Sequence, residues 1–379
     1  MSGDACWVRL PHRLPDPTIQ PPTQEHVNAH RHRSTDQLRH RCLSAAGAPD
    51  ENARLVAEHL VEANLKGHDS HGVGMIPAYV NNILTGLLKP DARANVVSDK
   101  GAVLVVDGQF GFGQVVGRQA TALGIARARE LGVACVGSRN NHHLGRIGAY
   151  GEQCAAAGMV SVHFVNVVGH DPQVSPWGGR ERRMTTNPFC AVVPRPGTWP
   201  IVLDMATSAI ALGKVRVAHN KGVDVPAGAL VDHEGKPTTS PKVMFSEPFG
   251  SLGPFGEHKG YGLAVLCELL GGGLAGEWTA QPENLRSHHI VNHMFMLIVD
   301  PAAFGGLEKF QSEVTAMVDY LHSTTPAAGF DKVRIPGEPE QETRARRLVE
   351  GIEIDESSWA GIVKAAQRAG LADAASYGS

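Results

Sequence analysis

Short apolar runs, each closed by glycine, proline or asparagine, lie irregularly among segments of helical periodicity. This pattern limits the chain to a mixed α and β architecture. Residues 102–106, 133–136, 160–165, 189–193, 201–203 and 293–299 read as buried strands. A first helix is predicted over 51–66, where Leu55, Val56, Leu60, Val61 and Leu65 recur at three- and four-residue spacing. Asp50 is placed to cap this helix and Gly67 to end it. Further helices are predicted over 75–86, 114–131, 257–270, 307–322, 340–350 and 356–369. Gly271-Gly272-Gly273 is expected to end the one that starts near His258. The order departs from a repeating strand–helix–strand array.

At roughly 100–200 residues per domain, 379 residues suggest two or three domains, or one large split one. A composition of 42% hydrophobic and 19% charged residues supports a sizeable core. The net charge of -3 leaves no basic excess to neutralise phosphates, which argues against nucleic acid as a partner. No apolar run reaches the about 18 residues that a membrane helix needs. Asp4, Arg9, His12 and Arg13 break up any signal-peptide core of about 7–15 residues. The cysteines (Cys6, Cys42, Cys135, Cys154, Cys190, Cys267) are scattered without a C-x-x-C pair, so neither zinc nor a disulfide framework is expected and a reducing, cytoplasmic compartment fits. Residues 1–33 carry Pro11, Pro15, Pro17, Pro21 and Pro22 and the run His30-Arg31-His32-Arg33. They read as a disordered, solvated extension.

The segment after 102–106 invites a dinucleotide-binding reading: Gly111, Gly113 and Gly117 precede a helix. The spacing is G-x-G-x-x-x-G, one residue too long. The next strand runs into Gly137-Ser138-Arg139 rather than an acidic residue. A structural glycine turn is the better reading.

Four polar clusters stand where apolar runs end. His68-Asp69-Ser70-His71-Gly72 joins two helices and offers an imidazole able to move a proton near neutral pH. The alternative is a capping Asp and Ser beside an incidental His. Asn140-Asn141-His142-His143-Leu144-Gly145-Arg146 precedes a helix whose free amides suit a phosphate, with Arg146 adding charge. A polar turn or a metal site is the alternative. Thr185-Thr186-Asn187-Pro188 is followed by Asp204, which ends an apolar strand and starts a small-residue helix. Its carboxylate is either a cap or the partner of a catalytic His. Glu257-His258-Lys259-Gly260-Tyr261-Gly262 puts three ionisable groups at the head of an apolar helix; Lys and His there oppose the helix dipole, as an anionic ligand would favour, and a solvated helix start is the alternative.

Taken together, Asp-Ser-His-Gly at 69–72, His-Leu-Gly at 143–145, Thr-Asn-Pro at 186–188, Leu-Asp-Met-Ala-Thr-Ser at 203–208, Glu-His-Lys-Gly at 257–260 and Pro-Gly-Glu at 336–338 resemble the malate/L-lactate dehydrogenase family. That family has a non-Rossmann fold and includes ureidoglycolate, sulfolactate and piperideine-carboxylate enzymes. The resemblance runs from about Asn52 to Leu371. The segments 71–77, His142-His143 and 145–148 give it the flavour of the hydroxycarboxylate dehydrogenase B subgroup. It implies a mixed α/β, NAD-binding fold in four parts: the extension 1–33, a helical part 34–98 carrying the catalytic His, a central cofactor-binding domain 99–304, and C-terminal helices 305–379 packed on the N-terminal part.

The same resemblance implies a homodimer that transfers hydride between a nicotinamide cofactor and a small 2-hydroxy or 2-oxo acid. NAD is the expected cofactor and NADP the alternative. His71 matches the proton donor/acceptor, with Ser70 and Asp204 as relay partners. Cofactor contacts are implied for His71, Gly145, Arg146 and Ile147, and for Val202, Leu203, Asp204, Met205 and Ala206. They are implied also for His258 and Asn292 and for the turn Pro336, Gly337, Glu338 and Pro339. No metal is expected. One departure stands out: many relatives carry an Arg soon after the His-Gly pair, whereas this chain reads Gly74-Met75-Ile76. Arg146, Arg180, Arg182, Arg183 and Lys259 become candidates for gripping the substrate carboxylate. A cyclic imine reductase is the rival within the family. A His-dependent metal hydrolase, suggested by 19 histidines, lacks an H-E-x-x-H array, and a non-catalytic binding protein would have no need of His71 and Asp204.

Overall fold

The computed structural model describes residues 40–284 and 289–372; the expected extension 1–33 lies outside the described residues. A seven-stranded sheet forms the centre. Its strands are β1 (Asn95–Lys100), β2 (Val103–Asp107), β3 (Val133–His142), β4 (Val160–Val168), β5 (Phe189–Val193), β6 (Ile201–Met205) and, after a small sheet of β7 (Leu230–Val231), β8 (Pro237–Thr238) and β9 (Ser251–Leu252), β10 (Val291–Val299). The order is β1-β2-β3-β10-β4-β5-β6. Every pairing is antiparallel except β2 with β3. A doubly wound dinucleotide fold needs a mostly parallel sheet, so the mixed, non-Rossmann expectation holds.

The one parallel pair is bridged by α3 (Gly113–Leu131), which follows α1 (Asp50–Leu65) and α2 (Ile76–Leu84) in the chain. This is where the glycine pattern falls, and its glycines serve packing. A β-carbon on Gly113 would sit 2.4 Å from the carbonyl oxygens of His142 and His143, and one on Gly117 would sit 2.7 Å from the Tyr150 ring. A side chain at either position would have no room.

The ends of the described chain meet. On α9 (Glu356–Arg368), which follows α7 (Leu307–His322) and α8 (Glu338–Glu350), Ile362, Ala365 and Ala366 are buried in one cluster with Val56, Leu60, Ile76, Tyr79 and Val80. A second cluster lies under the sheet, from Leu104 and Val136 to Val202 and Ile298, with α4 (Gly148–Ala156) packed on it through Tyr150 and Cys154. A third holds the small sheet against α5 (Leu212–Lys221) and α6 (His258–Cys267).

Several expectations need correcting. Asp50 is the first helical residue rather than the cap, and Pro49 stands in the cap position. Gly67 does end α1: it has φ +83°, and the Gly67 and His68 amides return to the Asn64 and Ala63 carbonyls in a Schellman arrangement. Strand β3 runs six residues past 136, and no helix begins at Asp204, which lies inside β6. The glycine run 271–273 does not end α6. It sits within a π-helical continuation, Glu268–Ala275, pressed so closely on the sheet that a β-carbon on Gly272 would meet the Asn166 amide at 2.3 Å. Edge strand β1, largely exposed, lacks the apolar signature that marks the others.

Candidate active site

His71 lies on a short 3-10 turn, Asp69–His71, between α1 and α2. Asn64 holds that turn: its Nδ2 donates to Asp69 Oδ1 at 2.6 Å and its Oδ1 accepts from the Val73 amide at 2.8 Å. Gly72 is required here, because a β-carbon would stand 2.2 Å from Asn64 Oδ1. Ser70 is exposed and, among the described residues, makes no side-chain hydrogen bond. The half-buried His71 ring turns instead to His143: Nδ1 lies 3.2 Å from His143 Nε2, with the rings stacked 5.2 Å apart. His143 Nδ1 meets the Tyr79 hydroxyl at 2.7 Å, and Gln114 Nε2 donates to that hydroxyl at 2.7 Å.

This chain fixes tautomers. With Gln114 donating to Tyr79, the Tyr79 proton goes to His143 Nδ1. His143 then donates Nε2–H to His71 Nδ1, which leaves neutral His71 with its proton on Nε2. Turning the Gln114 amide over reverses every link: His71 then donates Nδ1–H to His143 and its Nε2 is free to accept a proton. Burial pushes His71 down to about 4, a nearby Asp204 carboxylate opposing and His68 and Arg146 adding to the fall. Burial likewise holds His143 well below the ordinary imidazole value. Both rings are therefore neutral at pH 7.

The two histidines of the doublet take different partners, although both rings lie against Tyr79. His143 faces the site, while His142 turns inward, its Nε2 2.9 Å from Asn82 Nδ2 and its ring stacked on His289. Sequence reasoning named the doublet but did not assign His143, and it missed Tyr79 and Gln114. The signal was an apolar strand ending in polar residues too numerous for a turn.

Asp204 and Arg146 are both engaged by other protein groups. Asp204 Oδ2 accepts from the Gly148 amide at 2.7 Å, capping α4 across the sheet, and reaches His71 by charge rather than by a hydrogen bond. The Arg146 guanidinium is buried. Its Nη2 donates to Glu152 Oε2 at 2.5 Å and its Nη1 lies 3.9 Å from Asp204, while Glu152 also holds buried Lys66 at 2.7 Å. The Arg146 amide donates to His59 Nε2 at 3.0 Å. Burial opposes the charged form of Glu152, but Arg146 and Lys66 outweigh it and hold the carboxyl low. A guanidinium enclosed in this way offers no open face to a phosphate or a substrate.

Other segments do converge. Strand β6 is the sheet edge opposite β1, and its Val202 amide donates to the Pro336 carbonyl at 3.0 Å, joining 202–206 to the 336–339 turn. Gly337, at φ +98°, makes that approach possible. His258 is exposed at the start of α6, close to the exit of β6, where the Phe255 amide bonds the Thr207 carbonyl at 3.0 Å. Asn292 is buried and committed to structure: its Oδ1 accepts from the Leu144 amide and its Nδ2 donates to the Asn166 carbonyl. Arg182 donates to the Gly250 carbonyl and covers the Phe249 ring, Arg183 pairs with Glu181, and Lys259 is exposed.

Residues 31–363 match the malate/L-lactate dehydrogenase family. The chain belongs to that family. Hydroxycarboxylate dehydrogenase B of Escherichia coli (strain K12) is 46% identical over 346 residues, 90% of this chain and 95% of that protein. Sulfolactate dehydrogenase from Methanocaldococcus jannaschii superposes with a TM-score of 0.78 at 34% identity, covering 89% of this chain and 96% of that one. Delta1-piperideine-2-carboxylate reductase from Pseudomonas syringae pvar. tomato superposes with a TM-score of 0.75 at 32% identity, covering 87% and 97%. This member of the malate/L-lactate dehydrogenase family is thus an oxidoreductase of the hydroxycarboxylate type.

Proposed function

We propose that the enzyme interconverts a 2-hydroxycarboxylate and its 2-oxo acid with a nicotinamide cofactor, NAD in preference to NADP, and that His71 moves the proton. The observation that carries this reading is the half-exposed His71 ring with His143, Tyr79 and Gln114 behind it. The surroundings fit a dinucleotide. Val202 turns its backbone to the outer rim of the sheet, and alternation turns Asp204 the same way, beside a turn kept slim by Gly337. The residues proposed to hold the cofactor are Val202–Ala206, Pro336–Pro339, His258 and the backbone of 145–147. When bound, the nicotinamide supplies the hydride acceptor or donor.

His71 does the rest. In oxidation, with the Gln114 amide turned so that its oxygen accepts from Tyr79, the bare Nε2 takes the hydroxyl proton while Nδ1–H stays hydrogen-bonded to His143. In reduction the imidazolium returns that proton to the forming alkoxide. Neutrality at pH 7 readies His71 for the first role. A cyclic imine substrate is the second reading, favoured by the structural match to the piperideine-carboxylate reductase. A homodimer is supported by the apolar row Leu266, Leu269 and Leu274, exposed along α6 and its continuation. A cytoplasmic setting is supported by the five described cysteines, all free thiols. The test is a panel of 2-oxo acids and cyclic imines with NADH and NADPH. His71→Ala is expected to lower turnover by roughly 10²–10⁴-fold with cofactor still bound; near wild-type turnover overturns the assignment.

A further inference from the structure

α8 begins at Glu338, within the 336–339 turn, and packs on α1 and on the turn that carries His71. Thr343 packs on Gly67, Arg344 Nε donates to Glu62 Oε1 at 2.9 Å, and His68 Nε2 lies 3.8 Å from Glu340 Oε1. At its far end Arg347 grips Asp69 with both nitrogens: Nη1 to Oδ1 at 2.7 Å and Nη2 to Oδ2 at 3.0 Å. Nη1 also donates to the Asn64 carbonyl. Asn64 in turn bonds Asp69 and the Val73 amide, so one guanidinium closes a ring of contacts around Ser70, His71 and Gly72. The two partners are 278 residues apart. Burial opposes the charge on Asp69, but the bonds from Arg347 and Asn64 outweigh it and hold the carboxyl below its ordinary value.

We propose that Arg347 and Asp69 are positioning residues: a bidentate clamp from the C-terminal helix that holds the His71 turn at the angle proton transfer requires. This rests on the reading of His71 as the proton-transfer group. A planar guanidinium on a carboxylate fixes orientation as well as distance, which a surface ion pair through a single nitrogen does not. Because the turn is only three residues long, rotation at Asp69 passes directly to His71, and an error of about 1 Å in a reacting group costs on the order of 10²-fold in rate.

The experiment compares Arg347→Ala, Arg347→Lys, Asp69→Asn and their Ala/Asn double variant with Arg344→Ala, which removes an ion pair from the same helix without touching the turn. Cofactor affinity, kcat and the pH profile of hydroxy-acid oxidation are measured on folded protein. The expected result is a kcat lower by roughly 10–100-fold for Arg347→Ala and Asp69→Asn, with Arg347→Lys between these and wild type. Cofactor affinity should change by less than about 3-fold, and the double variant should be no worse than the poorer single one.

A loosened turn lets water reach His71, which faces His68 on its own turn, His59, His143, Arg146 and Asp204. The acid limb should therefore move up, toward the ordinary imidazole value of about 6.5. A role in stability alone would lower the melting temperature and leave that limb in place. If Arg347→Ala does not fold, the isosteric Asp69→Asn decides by the same readouts. Wild-type kcat and an unmoved limb in the folded variants, or equal damage from Arg344→Ala, overturn the clamp. His71→Gln is assayed alongside. If it retains turnover, the reading of His71 falls and the clamp with it; if it is dead while Arg347→Ala is active, the clamp alone falls.

Discussion

Replacing Arg146 with Met separates a structural cation from a ligand-gripping one. Met keeps much of the side-chain volume and removes the charge. Arg146 is buried and donates to Glu152 at 2.5 Å, and Glu152 is shared with buried Lys66. Breaking a buried ion pair costs about 3–5 kcal/mol, because a charge is left uncompensated in low dielectric. Lys66 still partners Glu152 in the variant, so the lower end of that range applies. Asp204 also loses its nearby cation at 3.9 Å. A loss of about 3 kcal/mol is a large share of a typical stability of about 5–15 kcal/mol. With a urea slope of about 3 kcal/mol per molar, the midpoint should fall by about 1 M. The assay pairs urea unfolding with cofactor titration of the folded protein. The expected outcome is the lower midpoint with affinity changed less than about 3-fold. An unchanged midpoint with cofactor binding weakened 10-fold or more, about 1.4 kcal/mol, would refute the reasoning and return Arg146 to the phosphate.

Three further outcomes follow from the same interior. Burial lowers His59, His142 and His163 to about 3, and His71 and His293 to about 4. Each takes up its proton first in the unfolded chain, near pH 6.5, so its stabilisation is present above that value and lost as pH falls toward 4. Each contributes about 1.4 kcal/mol per pH unit. Urea midpoints measured from pH 7 to pH 5 should fall steeply, and a flat profile would contradict neutral burial. Tyr79→Phe strips His143 Nδ1 of its partner and should slow turnover by roughly 10-fold, with a cost of about 1–3 kcal/mol in stability; wild-type turnover would remove Tyr79 from the proton chain. Gly113→Ala forces a β-carbon to within 2.4 Å of two carbonyl oxygens and should cut stability or soluble yield while folded enzyme binds cofactor normally. A folded, stable variant with weakened cofactor binding would restore a ligand role to the glycine turn.

The sequence by itself determined much of the secondary structure and the family. Predicted helix 307–322 and strand 189–193 match the structure end to end, because an amphipathic period or an apolar run registers burial along a local axis. The same locality explains the misses. β1 gains its place by pairing with β2, and β3 runs on through Ser138–His142 because its polar groups find partners: the Asn141 side chain donates to the Asn292 carbonyl, His142 meets Asn82, and the Asn140 amide donates to His293 Nδ1. For the candidate site, the sequence supplied His71 and its turn, and tertiary structure decided what surrounds them. His143 comes from 72 residues away, Gln114 meets Tyr79 across 35, and Arg347 meets Asp69 across 278. Arg146 and Asp204 carry the residue types an active site needs, yet the fold encloses the first with Glu152 and uses the second to cap α4. A charged side chain has the same identity in a cleft and in a core. Only the packing of distant elements decides whether its charge meets solvent, a ligand or another buried charge, and no local period in the sequence encodes that choice.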